Sequence, residues 1–240
     1  MTVRRSDAQA APRRVVVAPH GSAMRGSSAL RRTTWTPLPV ERHRVRSSQR
    51  SPTMSGMTTL FVDGWFGPDP GDWQELWALG LPGSARVVQD DWERPERGAW
   101  MARLDEAVRQ CAEPPVLVAH SLGCVTLAHW VADGARWPVR AALLATPADV
   151  ETNRKPEIRG FDPIPRVAFP FPTILAASRN DSWMTPDRAR SFARDWGARL
   201  VDAGEVGHLT VGEGVGRWPA GAELHAELLG DGVSALGPST

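Results

Sequence analysis

The chain has 240 residues, of which 42% are hydrophobic, and its formal net charge is +1. This composition excludes a wholly disordered chain, and no apolar run reaches the roughly 18 residues that a membrane-spanning helix needs. The two cysteines, Cys111 and Cys124, form no C-x-x-C pair, so we expect buried thiols rather than a disulfide framework. We therefore expect a cytoplasmic protein that does not associate with membranes.

The charge is divided unevenly between two parts of the chain. Residues 1–56 contain eleven arginines against Asp7 and Glu41, a net charge of +9, whereas the remaining residues carry a net charge of −8. The basic part is rich in Arg, Ser, Thr and Pro and has no sustained period, which predicts a disordered extension. We expect it to be an inert tail, or an artefact if translation starts at Met54 or Met57. Nucleic-acid binding is not expected, because the acidic remainder would repel phosphate.

From Met57 onward, short apolar runs alternate with amphipathic segments. Strands are predicted at TLFVDG, ARVVQD, PVLVAH, VRAALLATP, PTILAAS and ARLVDAG. Helices are predicted at GDWQELWALG, RGAWMARLDEAVRQCA, the residues after Ser121, TPDRARSFARDWG and GAELHAELLG. This alternation predicts an α/β domain over residues 57–230, followed by a tail at 231–240. Its core is a mostly parallel, doubly wound, six-stranded sheet with helices on both faces.

The stretch VLVAHSLGCVTLAHW changes from strand to helix at Ser121. Such a sharp bend brings the flanking residues almost into contact, so only small side chains fit two places before and after it. Ala119 and Gly123 occupy these places, although the usual pattern G-x-S-x-G has glycine at the first. The pattern predicts a nucleophile elbow that presents the Ser121 hydroxyl. The alternative is that Ser121 only caps the helix that follows it.

A serine nucleophile needs a histidine base, which follows it along the chain in this class of fold. His129 lies two turns along the departing helix, and His225 falls in the last predicted helix, where we expect it on the surface or flank. His208 follows the last strand within the loop GEVGHLTVGEG, so we predict that His208 is the base. His120, beside Ser121, is expected to have a structural role.

The base in turn needs an acid that orients it. Asp181 follows the strand PTILAAS with only Arg179 and Asn180 between, at the sheet edge where such sites form. We predict that Asp181 is the acid. Asp187 is the alternative, although the helix dipole favours a carboxylate in that first turn in any case.

Acyl transfer also needs hydrogen-bond donors for the developing oxyanion. We predict the backbone N–H of Leu122, which follows the nucleophile, and that of Trp65, which follows a glycine after the first strand. Aromatic side chains near the same sheet edge are expected to line the substrate pocket. They are Trp65, Phe66, Trp183 and Trp218.

Several segments together resemble the retinoblastoma-binding-protein-9/YdeN-like serine hydrolases across nearly all of residues 58–230. They are DGWFGPDPGDWQELW, VVQDDWERPERGAWMARLDEAV, VLVAHSLGCVTLAHW, FPTILAASRNDSWMTPDRARSFARDWGA and GHLTVGEGVGRWPAG. The resemblance implies a small α/β-hydrolase fold without a substantial cap domain, and neither cofactor nor metal. It also implies a catalytic triad of Ser121, Asp181 and His208. Ser182-Trp183 stand where such sequences often have Pro-Tyr, which bears on substrate preference.

The sequence thus predicts a serine hydrolase that cleaves a carboxylic ester or a related small acyl substrate through an acyl-enzyme. The alternative is a non-catalytic protein-binding module that keeps the same fold. A pure binding module has no need of a complete triad, so we favour the enzyme. The natural substrate, the leaving group and the oligomeric state carry no prediction, apart from a preference for small or flexible acyl groups.

Overall fold

The structure, a computed structural model, describes residues 59–230 and contains a six-stranded, all-parallel sheet. The expectations for residues 1–56 and 231–240 lie outside the described residues. The strands are β1 (Thr59–Val62), β2 (Ser84–Arg86), β3 (Val116–His120), β4 (Ala141–Ala145), β5 (Thr173–Ala177) and β6 (Arg199–Asp202). The helices are α1 (Trp73–Gly80), α2 (Arg97–Arg109), α3 (Leu122–Ala132), α4 (Pro186–Trp196) and α5 (Pro219–Leu229).

The strand order is β2-β1-β3-β4-β5-β6, which confirms the predicted doubly wound sheet. The chain runs from β1 outward to β2, then returns to place β3 on the other side of β1. The strand order therefore reverses between β1 and β3. A crevice opens at such a switch point, beyond the carboxyl ends of the strands, and ligands bind there in sheets of this kind.

Helices cover both faces of the sheet, as predicted. On one face, α2, α3 and α4 bury a cluster that includes Trp100, Leu127 and Phe192. On the other, α1 and α5 bury a smaller cluster that includes Trp77 and Leu228. Because helices cover both faces, β1, β3 and β4 are buried throughout. This burial explains why the three strands read as nearly continuous apolar runs in the sequence.

Two further features bear on the predicted architecture. The segment between β4 and β5 contains one short 3-10 helix, Pro156–Phe161, and no cap domain. The second helix ends earlier than predicted, at Arg109, so Cys111 lies beyond it and is half-buried, whereas we expected a buried thiol within the helix. In the described part of the chain, no helix is both long and apolar enough to cross a membrane.

Candidate active site

Ser121 occupies a sharp turn between β3 and α3. Its backbone has φ +53° and ψ −121°, a conformation that residues with a Cβ atom rarely adopt. Its side chain makes no capping bond to α3, although such a bond is what the helix-cap interpretation requires. A Cβ atom at Gly123 would lie 2.7 Å from the Asp63 carbonyl oxygen and closer still to that of Val62. The turn thus packs the start of α3 directly on the end of β1.

A chain of hydrogen bonds joins three of the predicted site residues. The Oγ atom of Ser121 lies 2.7 Å from Nε2 of His208. The other ring nitrogen, Nδ1, lies 2.9 Å from Oδ1 of Asp181, whose side chain is only 2% exposed. Because a carboxylate can only accept, Nδ1 carries the proton and Nε2 is free to accept one from the serine. Asp187, the alternative acid, is 93% exposed and pairs with Arg190 instead.

The loop that carries His208 is held by side chains that the sequence analysis did not identify. The Val206 N–H donates to Ser178 Oγ at 3.1 Å, and the Gly207 N–H donates to Asn180 Oδ1 at 2.7 Å. The His208 N–H donates to Glu213 Oε2 at 2.5 Å. These partners follow β5 or belong to the loop itself, and they contact backbone atoms. A motif search built on catalytic residue types gives no signal for such contacts.

His120 supports the same loop from the end of β3. Its Nε2–H donates to the carbonyl oxygen of His208 at 2.8 Å, and Thr146 Oγ1 donates to the same oxygen at 3.3 Å. Burial, and then the neighbouring His208 ring, lower the pKa of His120 to about 3, so the ring is neutral at physiological pH. The expected structural role of His120 thus corresponds to an observed contact.

The loop after β1 lies directly against the nucleophile. A Cβ atom at Gly64 would lie 2.7 Å from the Ser121 Cβ atom and 3.2 Å from its Oγ atom, so only glycine allows this approach. Within residues 59–230, the backbone N–H groups of Trp65 and Leu122 have no hydrogen-bond partner. Both are therefore available to a ligand. The loop starts at the buried Asp63, which is paired with Arg86, and burial raises the pKa of Asp63 to about 6.

A cavity of about 230 Å³ opens beside Ser121 and His208. Trp65, Phe66 and Trp183 form its aromatic walls. The rings of Trp65 and Phe66 stack with centroids 4.6 Å apart, and Trp183 meets Trp65 edge-on at 6.4 Å. A larger cavity of about 300 Å³ between α2 and the end of α3 is lined by none of these residues.

The structure corrects the expectation for Trp218, which does not line the cavity beside Ser121. Its ring is buried on the face of the sheet that α1 and α5 cover, with ring centroids 4.9 Å from Trp73 and 5.8 Å from Trp77. The backbone of Trp218 has φ +44°, a left-handed turn just before α5. Trp218 is therefore a core residue.

Two further histidines lie away from Ser121. The Nε2 atom of His129 lies 2.8 Å from the carbonyl oxygen of Phe161. His225 is buried against Thr59, with its Nε2 atom 2.9 Å from the hydroxyl oxygen, which corrects the expectation of a surface position. Among the residues that the structure describes, no group of three or more His, Cys, Asp and Glu side chains is arranged to hold a metal ion.

The Trp183 backbone is held by the segment that follows β4. The Asp149 backbone N–H donates to the carbonyl oxygen of Trp183 at 3.1 Å, and the Asn153 side-chain amide donates to the same oxygen at 2.8 Å. The Asp149 carboxylate in turn accepts from Nε of Arg188 at 2.6 Å. The backbone that carries the Trp183 ring is thus held by residues after β4, one of which is paired with Arg188 of α4.

Comparison with known proteins gives a family match and several structural neighbours. A family model described as serine hydrolase matches residues 59–227. A structure described as a YdeN-like hydrolase from Pectobacterium atrosepticum is 28% identical, covering 73% of this chain and 92% of its own, with a TM-score of 0.65. The ydeN gene product from B. subtilis is 17% identical, covering 72% and 99%, with a TM-score of 0.59. A hydrolase of the alpha/beta superfamily from Xanthomonas campestris is 22% identical, covering 72% and 99%, with a TM-score of 0.53. No curated protein matches the chain.

Proposed function

The chain belongs to the serine hydrolase family, and from this premise we propose that it cleaves a carboxylic ester or related small acyl compound through an acyl-enzyme on Ser121. The observation that carries the proposal is the hydrogen-bonded series from Ser121 through His208 to Asp181. A structural serine needs neither a strained backbone nor a histidine that is itself oriented by a buried carboxylate.

The reaction follows from the protonation states that these contacts favour. His208 accepts the Ser121 hydroxyl proton at Nε2 while Oγ attacks the acyl carbon, and Asp181 stabilises the resulting imidazolium. The N–H groups of Leu122 and Trp65 donate to the oxyanion, and one such donor contributes roughly 10²–10³-fold in rate. His208 then protonates the leaving group, and a water molecule activated by the same ring hydrolyses the acyl-enzyme.

The cavity supports a preference for small, uncharged acyl groups. Its volume of about 230 Å³ is below the usual range of roughly 300–1,000 Å³ for drug-sized ligands. The aromatic walls of Trp65, Phe66 and Trp183 favour apolar acyl groups, and among residues 59–230 no lysine or arginine lines the cavity, whereas Asp69 and Asp72 do. An anionic acyl group would therefore meet two carboxylates and no countercharge from the described residues.

The proposal is tested with a panel of activated esters of increasing acyl length and an organophosphonate probe, applied to wild type and Ser121→Ala. We expect the highest kcat/KM for short acyl groups, with labelling and hydrolysis lost in Ser121→Ala. A wild-type protein that neither hydrolyses the panel nor takes up the probe would overturn the proposal and favour the protein-binding module.

The acid is tested by a matched pair of variants. Asp181→Asn is expected to lower kcat by roughly 10³–10⁴-fold without unfolding, because it disturbs the tautomer and orientation of His208. Asp187→Asn removes the same charge from an exposed site and is expected to retain wild-type kcat. The reverse result would assign the acid to Asp187.

A further inference from the structure

Asp72 occupies the position before α1 but does not use its carboxylate to cap that helix. Aspartate at this position usually accepts from the N–H groups of the first turn. Here the side chain is buried, with the residue 5% exposed, and its two oxygens reach other partners. Oδ2 accepts from the Asp69 backbone N–H at 2.7 Å, and Oδ1 accepts from the Val211 backbone N–H at 2.6 Å.

These two partners belong to different loops. Asp69 lies in the loop after β1, residues 63–72, which carries the Trp65 N–H against Ser121. Val211 lies in the loop after β6, residues 203–218, which carries His208. Asp72 therefore joins the two loops through one carboxylate, and hydrogen bonds to an ionised acceptor are about twice as strong as neutral ones. The neighbouring Trp73 adds a second link, since its Nε1–H donates to the Leu209 carbonyl oxygen at 3.1 Å.

We propose that Asp72 is a positioning residue that fixes the loop of the oxyanion donor relative to the loop of the base. This inference rests on the proposed acyl-transfer function. Catalytic groups must hold their relative places to within about 0.5 Å, and an error of 1 Å costs roughly 10²-fold in rate. Asp72 also lines the cavity beside Ser121, but both of its carboxylate oxygens are occupied by backbone N–H groups of the two loops, so we expect its effect to pass through those loops.

The expected signature is a loss of kcat without a matching rise in KM. Asp72→Ser keeps a residue suited to cap α1, but its single, shorter hydroxyl replaces the two separate oxygens that accept from the two loops. Asp72→Asn keeps the shape, yet one of its two terminal atoms becomes a donor that faces a backbone N–H. We expect both variants to lower kcat for a short activated ester by about 10–100-fold, with KM changed by less than about three-fold.

Glu223→Gln is the control, because it removes one negative charge from an exposed position on α5. Glu223 lies outside both loops that Asp72 joins, so we expect wild-type kcat. The three variants and wild type are compared in kcat, KM, organophosphonate labelling rate, melting temperature and hydrogen exchange. The Val211 amide is expected to exchange faster in Asp72→Ser, while amides of the central strands are unchanged.

The outcomes separate the inference from the function on which it rests. Wild-type kcat in Asp72→Ser, or a loss that parallels a fall in melting temperature and faster exchange throughout the domain, would overturn the positioning role. Either result would leave the proposed hydrolase intact, provided that wild type remains active and labelled. An inactive, unlabelled wild type would instead remove the proposed function itself.

Discussion

Replacing His120 with glutamine is expected to change how the stability of the protein depends on pH. The His120 pKa is lowered to about 3 in the folded state from an ordinary value of 6.5, chiefly because the ring is buried. Between these values the unfolded chain binds a proton that the folded chain does not, so stability falls as pH is lowered through 6.5 toward 3. Taking the protein from pH 7 to pH 5 should therefore cost about 2 kcal/mol through this residue alone.

Glutamine does not titrate in this range, and its amide can still donate to the His208 carbonyl oxygen. The free energy of unfolding is measured by urea denaturation for wild type and His120→Gln at pH 7 and pH 5. The drop on acidification is expected to be about 2 kcal/mol smaller in the variant, equivalent to roughly 4–8 °C in melting temperature. Because His129 and His225 are present in both proteins, their contributions cancel. Equal drops in the two proteins would refute the assignment of a buried, neutral His120.

Two substitutions at the turn are expected to act in opposite ways. Ser121→Ala should abolish hydrolysis yet leave the melting temperature nearly unchanged, because the side chain makes no bond to α3; a loss of about 1 kcal/mol with hydrolysis retained would favour the helix-cap interpretation. Gly123→Ala should destabilise the domain by about 1–3 kcal/mol and reduce activity, because the new methyl group meets the Val62 and Asp63 carbonyl oxygens. Gly80→Ala, with no atom within 4 Å of the added group, is the control and should keep wild-type stability and activity in the same melts and assays.

Most of the fold could be predicted from the sequence, because the residue patterns that indicate its strands and helices are local. Buried parallel strands read as apolar runs, and the amphipathic segments between them fix the alternation from which the sheet follows. The resemblance to YdeN-like serine hydrolases is confirmed by the family match and by the structural neighbours. The helix end near Cys111 was misplaced because an apolar residue in phase with Trp100 and Val108 continues the pattern beyond the last helical turn.

The residues of the candidate active site could be predicted from the sequence only in part. The chain order of Ser121, Asp181 and His208 led to side chains that the structure brings into contact, because each follows a strand of one parallel sheet. The direction of a ring after a left-handed turn is not encoded in chain position, so Trp218 was assigned to the pocket although it packs in the core. The carboxylate of Asp72 accepts hydrogen bonds from backbone N–H groups, and its sequence context predicts no more than a helix cap.

The side chains that wall the cavity can change independently of the backbone and side-chain groups that react. Trp65 and Phe66 belong to the loop after β1, Ile158 to the segment between β4 and β5, and Trp183 to the turn after β5. None of these side chains lies within the sheet, whose packing sets the positions of the strand ends. Substitutions of Trp65, Phe66 or Trp183 that keep the loop lengths would therefore alter acyl preference without moving the Trp65 N–H from Ser121, whereas Ile158 is buried in the core and is less free to change. In laboratory evolution, libraries confined to these three aromatic side chains should yield new specificities more often than libraries spread across the domain.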